Sequence, residues 1–341
     1  MLVEKSYKDG CNFIKVNNQN GLELTLCSFG ASVYDLQVID GNNNLESIVL
    51  TPKDLNDFKY CTSYYGKSVG RYSGRISDAK CTIDGKTYNL LNNSLNHDSL
   101  HGGNDALSFK NFKYKIIKNE KCVKVIFYLL DEAKDLPGVA KIKITYKILA
   151  NKNEFSCYFE AISDQKTLMN LTNHTYFNLS GNGKRAVLDQ YLKLNCNKYT
   201  KLDNYLITTS IEDVNQIMDF QKSHRIGKYI ADPSLVNHQA NGYDHCFIKA
   251  KRNVAKIATL HDKKSKRRLT VYTSYPAIVC YSDNYPDDFE FLHDYKISKH
   301  HAICLECQFI PNGINMQGQD TGLLEANQKY KQYIRYCFDI K

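Results

Sequence analysis

Two strand-like segments of this chain carry a histidine and a glutamate on faces that could meet. In Asn170-Leu171-Thr172-Asn173-His174-Thr175-Tyr176-Phe177-Asn178-Leu179, an extended backbone puts His174, Tyr176 and Asn178 on one face and Thr175, Phe177 and Leu179 on the other. In Ala302-Ile303-Cys304-Leu305-Glu306-Cys307-Gln308-Phe309, Glu306 and Gln308 share one face, and Leu305, Cys307 and Phe309 the other. An imidazole and a carboxyl on strands otherwise built for a core point to a polar cleft with one proton donor and one proton acceptor. A lone histidine on a strand is also commonly a satisfied structural residue, and neither segment alone decides between the two.

Three further polar spots stand out: Gly70-Arg71-Tyr72-Ser73-Gly74-Arg75-Ile76, Ser99-Leu100-His101-Gly102-Gly103 and Asn241-Gly242-Tyr243-Asp244-His245. Each has a plain reading. Arg71 and Arg75 could pair with surface carboxylates, and an Asp before His at a Gly-Tyr turn is usually a turn cap. The glycines of the first spot do not make a phosphate loop, because no Lys-Ser/Thr follows and no helix begins there. Cys304 and Cys307 have redox-motif spacing, but on a strand their sulfurs face opposite ways. His97 and His101 would suit a metal only on a helix, and the surrounding Asp98-Ser99 and Gly102-Gly103 argue for a loop. Asp287-Asp288 reads as a solvated loop pair.

The elements that must position these residues are strands. The clearest is 141–149, where Ile142, Ile144, Tyr146 and Ile148 alternate inward. Further strands are expected at 22–27, 32–39, 81–83 with Asp84-Gly85 as a hairpin turn, 122–129, 155–162, 269–274, 277–282 and 333–340. Only 51–58 and 224–231 could hold short helices. No linker, repeat or composition break divides the chain. The expectation is one all-β domain over 1–341, a large antiparallel sandwich whose curved sheet offers a concave polar face.

Composition narrows the class. In 341 residues, 43% hydrophobic and 24% charged content are those of a globular protein with a sizeable core. Trp is absent and Tyr numbers 25, so tyrosine carries much of the aromatic packing and any stacking on a ligand. The formal charge of +9 is diffuse. Its one dense run, Lys263-Lys264-Ser265-Lys266-Arg267-Arg268, reads as a hairpin with a solvated basic tip, and no nucleic-acid motif accompanies it. The 12 cysteines form no disulfide framework, several lying in apolar strands (Cys122, Cys157, Cys280, Cys304, Cys337). The first eight residues hold no apolar signal core, and no run approaches a membrane span. A reduced cytoplasmic protein without membrane or nucleic-acid partners is expected.

Taken together, the polar spots resemble the aldose 1-epimerase family along nearly the whole chain. The matching pieces are Tyr65-Gly66-Lys67-Ser68-Val69-Gly70-Arg71-Tyr72-Ser73-Gly74-Arg75-Ile76, Leu100-His101-Gly102-Gly103, Leu136-Pro137-Gly138, Leu171 to Leu179, Gly242-Tyr243-Asp244-His245, and Glu306 with Gln308. The resemblance implies a β-supersandwich and a cofactor-free, metal-free isomerase that interconverts the α and β anomers of free aldohexoses; monomer and homodimer are both left open. By position, His174 resembles the family's general acid and Glu306 its general base. Arg75, His101 and Asp244 resemble its sugar-hydroxyl contacts; Arg71 ranks below Arg75, and Tyr176 and Gln308 complete the substrate-binding set. Many relatives carry Asn where Gly74 stands and some carry Gln where Val279 stands, and each departure would remove one sugar hydrogen bond open to those relatives. If His174 is to be charged near neutral pH, nearby carboxylates must offset its burial. Two other readings remain: an epimerase of the same fold acting on hexose 6-phosphates, and a non-catalytic carbohydrate-binding sandwich. A glycoside hydrolase would need two flanking carboxylates.

Overall fold

A computed structural model of the chain describes every residue except 237–238, 251–254, 295 and 320. Among the described residues, three large antiparallel sheets carry the fold. The first orders its strands as Leu2–Lys8, Cys11–Asn17, Leu22–Cys27, Ser32–Ile39 and Leu45–Ser47. A nine-stranded sheet is built around Cys122–Asp131, Ala140–Leu149, Glu154–Ser163, Tyr330–Ile340 and Arg267–Thr273. The third, of six strands, runs Tyr176–Phe177, Ile303–Gln308, Ala277–Tyr281, Asp244–Lys249, Cys196–Leu202 and Thr208–Asp213.

One hydrophobic cluster joins all three, with Leu24 and Leu26 from the first, Val125, Ile144, Phe159 and Val271 from the second, and Phe177, Ile278, Leu305 and Cys307 from the third. The expected inward row Ile142, Ile144, Tyr146 and Ile148 is buried. Removing such apolar surface from water, at roughly 25 cal/mol per Å², is the main force holding the sheets face to face.

The six-stranded sheet carries the polar face. Cross-strand register puts Phe247 opposite Ile278 and Ile278 opposite Cys307, a row that packs into the core. One residue along, Cys246, Val279 and Glu306 form the next row, turned to the other side. Period-two alternation thus makes one strand serve both core and cavity.

Several expectations are corrected. Segment 170–179 is not one strand: pairing stops after Asn173 and resumes at Tyr176, leaving His174 between two short ladders. Asn178 leaves the shared face, donating to the carbonyls of Arg185 and His301 and accepting from Gln190. The first helix lies at Leu55–Tyr60, N-capped by Asp54, whose carboxylate accepts from the Asn56 and Asp57 N–H groups. Region 224–231 holds only a short strand and the 3₁₀ turn Ile226–Lys228. The basic run is a hairpin turn as expected, but Arg267 points inward, where the carbonyls of Val38 and Asn44 and the Glu46 carboxylate hold its guanidinium.

Candidate active site

The cavity, of about 590 Å³, opens on the polar face of the six-stranded sheet. Its size is that of a small-molecule site. Of the residues singled out in the sequence, His174, Glu306, Arg75, His101, Asp244, Tyr176 and Gln308 all line it.

His174 is held by its backbone. Its N–H donates to the Lys67 carbonyl at 2.8 Å and its carbonyl accepts from the Gly66 N–H at 2.9 Å. Asn173 adds a side-chain bond to the Gly66 carbonyl. Gly66 sits at φ +66°, and a Cβ there would collide with the Val33 carbonyl, so only glycine allows this loop to lie against the histidine. The imidazole Nε2 stands 3.4 Å from Glu306 Oε1. Both residues are buried, and Glu306 Oε2 has no hydrogen-bond partner. Both amide atoms of Gln308, two residues along on the same face, are likewise buried and unpartnered. Polar groups buried without partners are costly, which marks these three atoms as contacts for a ligand or ordered water.

Arg75 and His101 are brought side by side by a two-stranded ladder that pairs Ser99 with Ile76 and Leu100 with Arg75. His101 Nδ1 accepts the Gly74 N–H at 3.2 Å. A neutral imidazole has one lone pair, so this bond leaves Nε2 carrying a hydrogen, and His101 is a donor. That bears on metal binding. Ligand atoms of His101, His174 and Glu306 lie within 4.8 Å of one another, yet the His101 lone pair is already taken by Gly74. The trio does not fit a metal ion.

Across the cavity, Arg75 Nη1 lies 3.4 Å from Asp244 Oδ2. Asp244 opens the strand Asp244–Lys249 and pairs with Tyr281, so it is more than a turn cap.

Burial dominates the electrostatics. It pushes the Glu306 carboxyl well above the usual carboxylate range; the negative charge of Asp244 pushes the same way and Arg75 opposes it. Burial also takes His174 down to about 4 and His101 well below its ordinary value. The expectation that carboxylates would keep His174 charged is therefore corrected: burial of the ring outweighs everything that favours its charged form, and the imidazole is neutral near pH 7.

Arg71 is placed elsewhere. Its Nε donates to Asp131 Oδ2 at 2.5 Å, and its Nη atoms donate to the carbonyls of Asp131, Pro137 and Gly138. Those bonds brace the Leu136-Pro137-Gly138 turn from the far side of the Gly70-Arg71 segment, and none faces the cavity. Both departures from the family pattern do line it. A Cβ on Gly74 would come within 2.7 Å of Pro311 Cβ, and Val279 sits directly across the ladder from Glu306.

The sequence reading missed Tyr64 and Tyr281, which both line the cavity. The Tyr64 ring lies 4.9 Å from His101 and 6.0 Å from His174, and Tyr281 lies 6.5 Å from His174. Alternation along Ala277–Tyr281 pairs Tyr281 with Val279 and would have found it; nothing local marks Tyr64.

Fold and cavity together define an antiparallel β-sandwich with a buried carboxyl–imidazole pair facing a pocket rich in hydrogen-bonding groups. The family model described as aldose 1-epimerase matches residues 12–337, and the chain belongs to that family. It is 29% identical over 324 residues to a galactose mutarotase of Sus scrofa, covering 94% of this chain and 92% of the relative. An aldose 1-epimerase of Haemophilus influenzae is 29% identical over 331 residues, 95% of each chain. Among solved structures, a galactose 1-epimerase from Lactobacillus acidophilus superposes with a TM-score of 0.85 at 26% identity, covering 99% of this chain and 98% of that one. An aldose epimerase homologue from C. elegans gives 0.86 at 25%, covering 97% and 99%.

Proposed function

We propose that the protein is an aldose 1-epimerase that interconverts the α and β anomers of free aldohexoses such as glucose and galactose. The carrying observation is the buried His174–Glu306 pair at 3.4 Å in a cavity where Glu306 Oε2 and both amide atoms of Gln308 have no hydrogen-bond partner.

A proton shared by the pair is drawn toward the carboxyl, because burial raises Glu306 and lowers His174. The pair's zwitterionic form, carboxylate with imidazolium, has the same proton count, so reaching it needs a shift within the pair and no uptake from solvent. A bound sugar favours that shift: its anomeric hydroxyl donates to Glu306, and its ring oxygen accepts from His174 Nε2. Glu306 then removes the anomeric proton as His174 protonates the ring oxygen, and the C1–O5 bond breaks to give the open-chain aldehyde. Rotation about C1–C2 and the reverse transfers close the other anomer. An acid and a base so placed contribute about 10²–10⁴-fold each. Arg75 and His101 donate to sugar hydroxyls, Asp244 accepts from them, and Tyr176 and Gln308 complete the walls.

The charges of the lining favour neutral sugars over phosphorylated ones. Arg75 pairs with Asp244, Asp287 also lines the cavity, and no lysine among the described residues does. The reading extends to one domain spanning the chain and to a reducing cytoplasm, where twelve unpaired thiols persist. Polarimetry of freshly dissolved α-glucose and α-galactose tests the assignment. Acceleration of the drift to equilibrium is expected, and a drift no faster than in buffer overturns it.

A further inference from the structure

The strand Ile303–Gln308 holds the His174 ring at both ends. Glu306 meets Nε2 at 3.4 Å, and Cys304 Sγ lies 3.6 Å from Nδ1 on the opposite edge. Residues two apart on a strand point the same way at a spacing of about 7 Å, enough to bracket an imidazole. Register fixes the bracket, because Cys304 pairs directly with Tyr176, two residues after the histidine. Cys304 is wholly buried and does not line the cavity.

Resting on the acid role of His174, we propose that Cys304 is a positioning residue that turns Nε2 of His174 toward Glu306 and the sugar, and that its thiol keeps the ring quick to release a proton. A catalytic histidine commonly has its second nitrogen against a carboxylate or carbonyl, which fixes the tautomer and strengthens the ring as a base. Here the second nitrogen meets a group that both donates and accepts, each weakly. When Nδ1 is bare, the thiol hydrogen points at it. When Nδ1 carries a hydrogen, the sulfur accepts. Neither protonation state is trapped, as a reaction that runs equally in both directions requires. Burial keeps the thiol protonated, so no thiolate stands behind the ring to hold the imidazolium. The other groups facing the ring are Glu306, His101, Tyr64, Tyr176 and Tyr281. Of these, only Glu306 offers a carboxyl within ion-pair distance.

The experiment measures kcat, KM and the pH profile of kcat for wild type, Cys304→Ala, Cys304→Ser and His174→Ala, with circular dichroism for folding. Ring-nitrogen NMR of ¹⁵N-histidine-labelled protein gives the tautomer of His174. Cys304→Ala is expected to lower kcat about 3- to 30-fold while KM moves less than twofold. Cys304→Ser, a stronger acceptor, should restore much of kcat and move the acid limb of the profile to higher pH, with a changed Nδ1 shift. Should Cys304→Ala fail to fold, the serine variant's pH limb and Nδ1 shift carry the test. Unchanged kcat, pH limb and nitrogen shifts in the folded variants overturn the inference while an inactive His174→Ala upholds the site. An active His174→Ala overturns both.

Discussion

Arg75 and Asp244 face one another across the mouth of the cavity, Nη1 3.4 Å from Oδ2, with 18% and 16% of their side chains exposed. The contact is loose enough for each partner to take on a sugar hydroxyl. Arg75→Ala and Asp244→Ala are each expected to raise KM for galactose about 10- to 100-fold, the equivalent of one charge-assisted hydrogen bond, with a smaller effect on kcat. Steady-state polarimetry separates the two constants.

Removing either member of the buried pair should strike turnover instead. His174→Ala and Glu306→Gln are expected to lower kcat by about 10²–10⁴-fold each. The double variant should be little worse than either single one, because the two act as a unit. Near-additive losses would contradict a shared proton.

The pH dependence of kcat follows from that shared proton. Between the depressed value of His174, about 4, and the raised value of Glu306, the pair holds one proton and can take its zwitterionic form. Below about 4 a second proton settles on the imidazole while the carboxyl keeps its own, and no base remains. An acid limb of the profile near 4 is expected. A limb near 6.5, the ordinary histidine value, would contradict an imidazole lowered by burial.

Asp283 offers a prediction about stability. Burial first, then the charge of Asp287, raises its carboxyl to about 7, and Oδ2 has no partner. The folded state therefore binds this proton more tightly than the unfolded chain, whose value is near 3.8. Stability is lost as pH climbs from about 4 through 7, since the native state must then hold an unfavourable charge or keep a proton the unfolded chain gives up. Asp283→Asn removes that penalty at a left-handed backbone position that Asn tolerates. Its melting temperature should exceed wild type at pH 8 and match it near pH 4.

Arg71 should behave as a strut. Arg71→Ala leaves Asp131 buried with Lys110 as its remaining cation. A loss of about 3–5 kcal/mol is expected from denaturant titration, with KM for sugar unchanged in the folded fraction.

What the sequence made legible follows from locality. Glu306 and Gln308 were found because one uninterrupted strand alternates between core and cavity, and that pattern is written in six consecutive residues. Segment 170–179 misled because its backbone leaves the ladder at His174 to bond with Gly66 and Lys67, more than 100 residues earlier. Arg71 and Arg75 look alike in one glycine-rich motif; only the distant Asp131 distinguishes strut from ligand. The strand Leu2–Lys8 left no apolar alternation because most of its residues are exposed at a sheet edge. Tyr64 reaches the cavity through a left-handed turn that no residue pattern announces.

In the proposed mechanism, a carboxyl–imidazole couple that ends every cycle with the proton it began with needs no recharging from outside. Whichever anomer departs, the protein left behind is the same, so it favours neither direction. The final mixture is dictated by the sugar alone, and the protein governs only how soon it arrives.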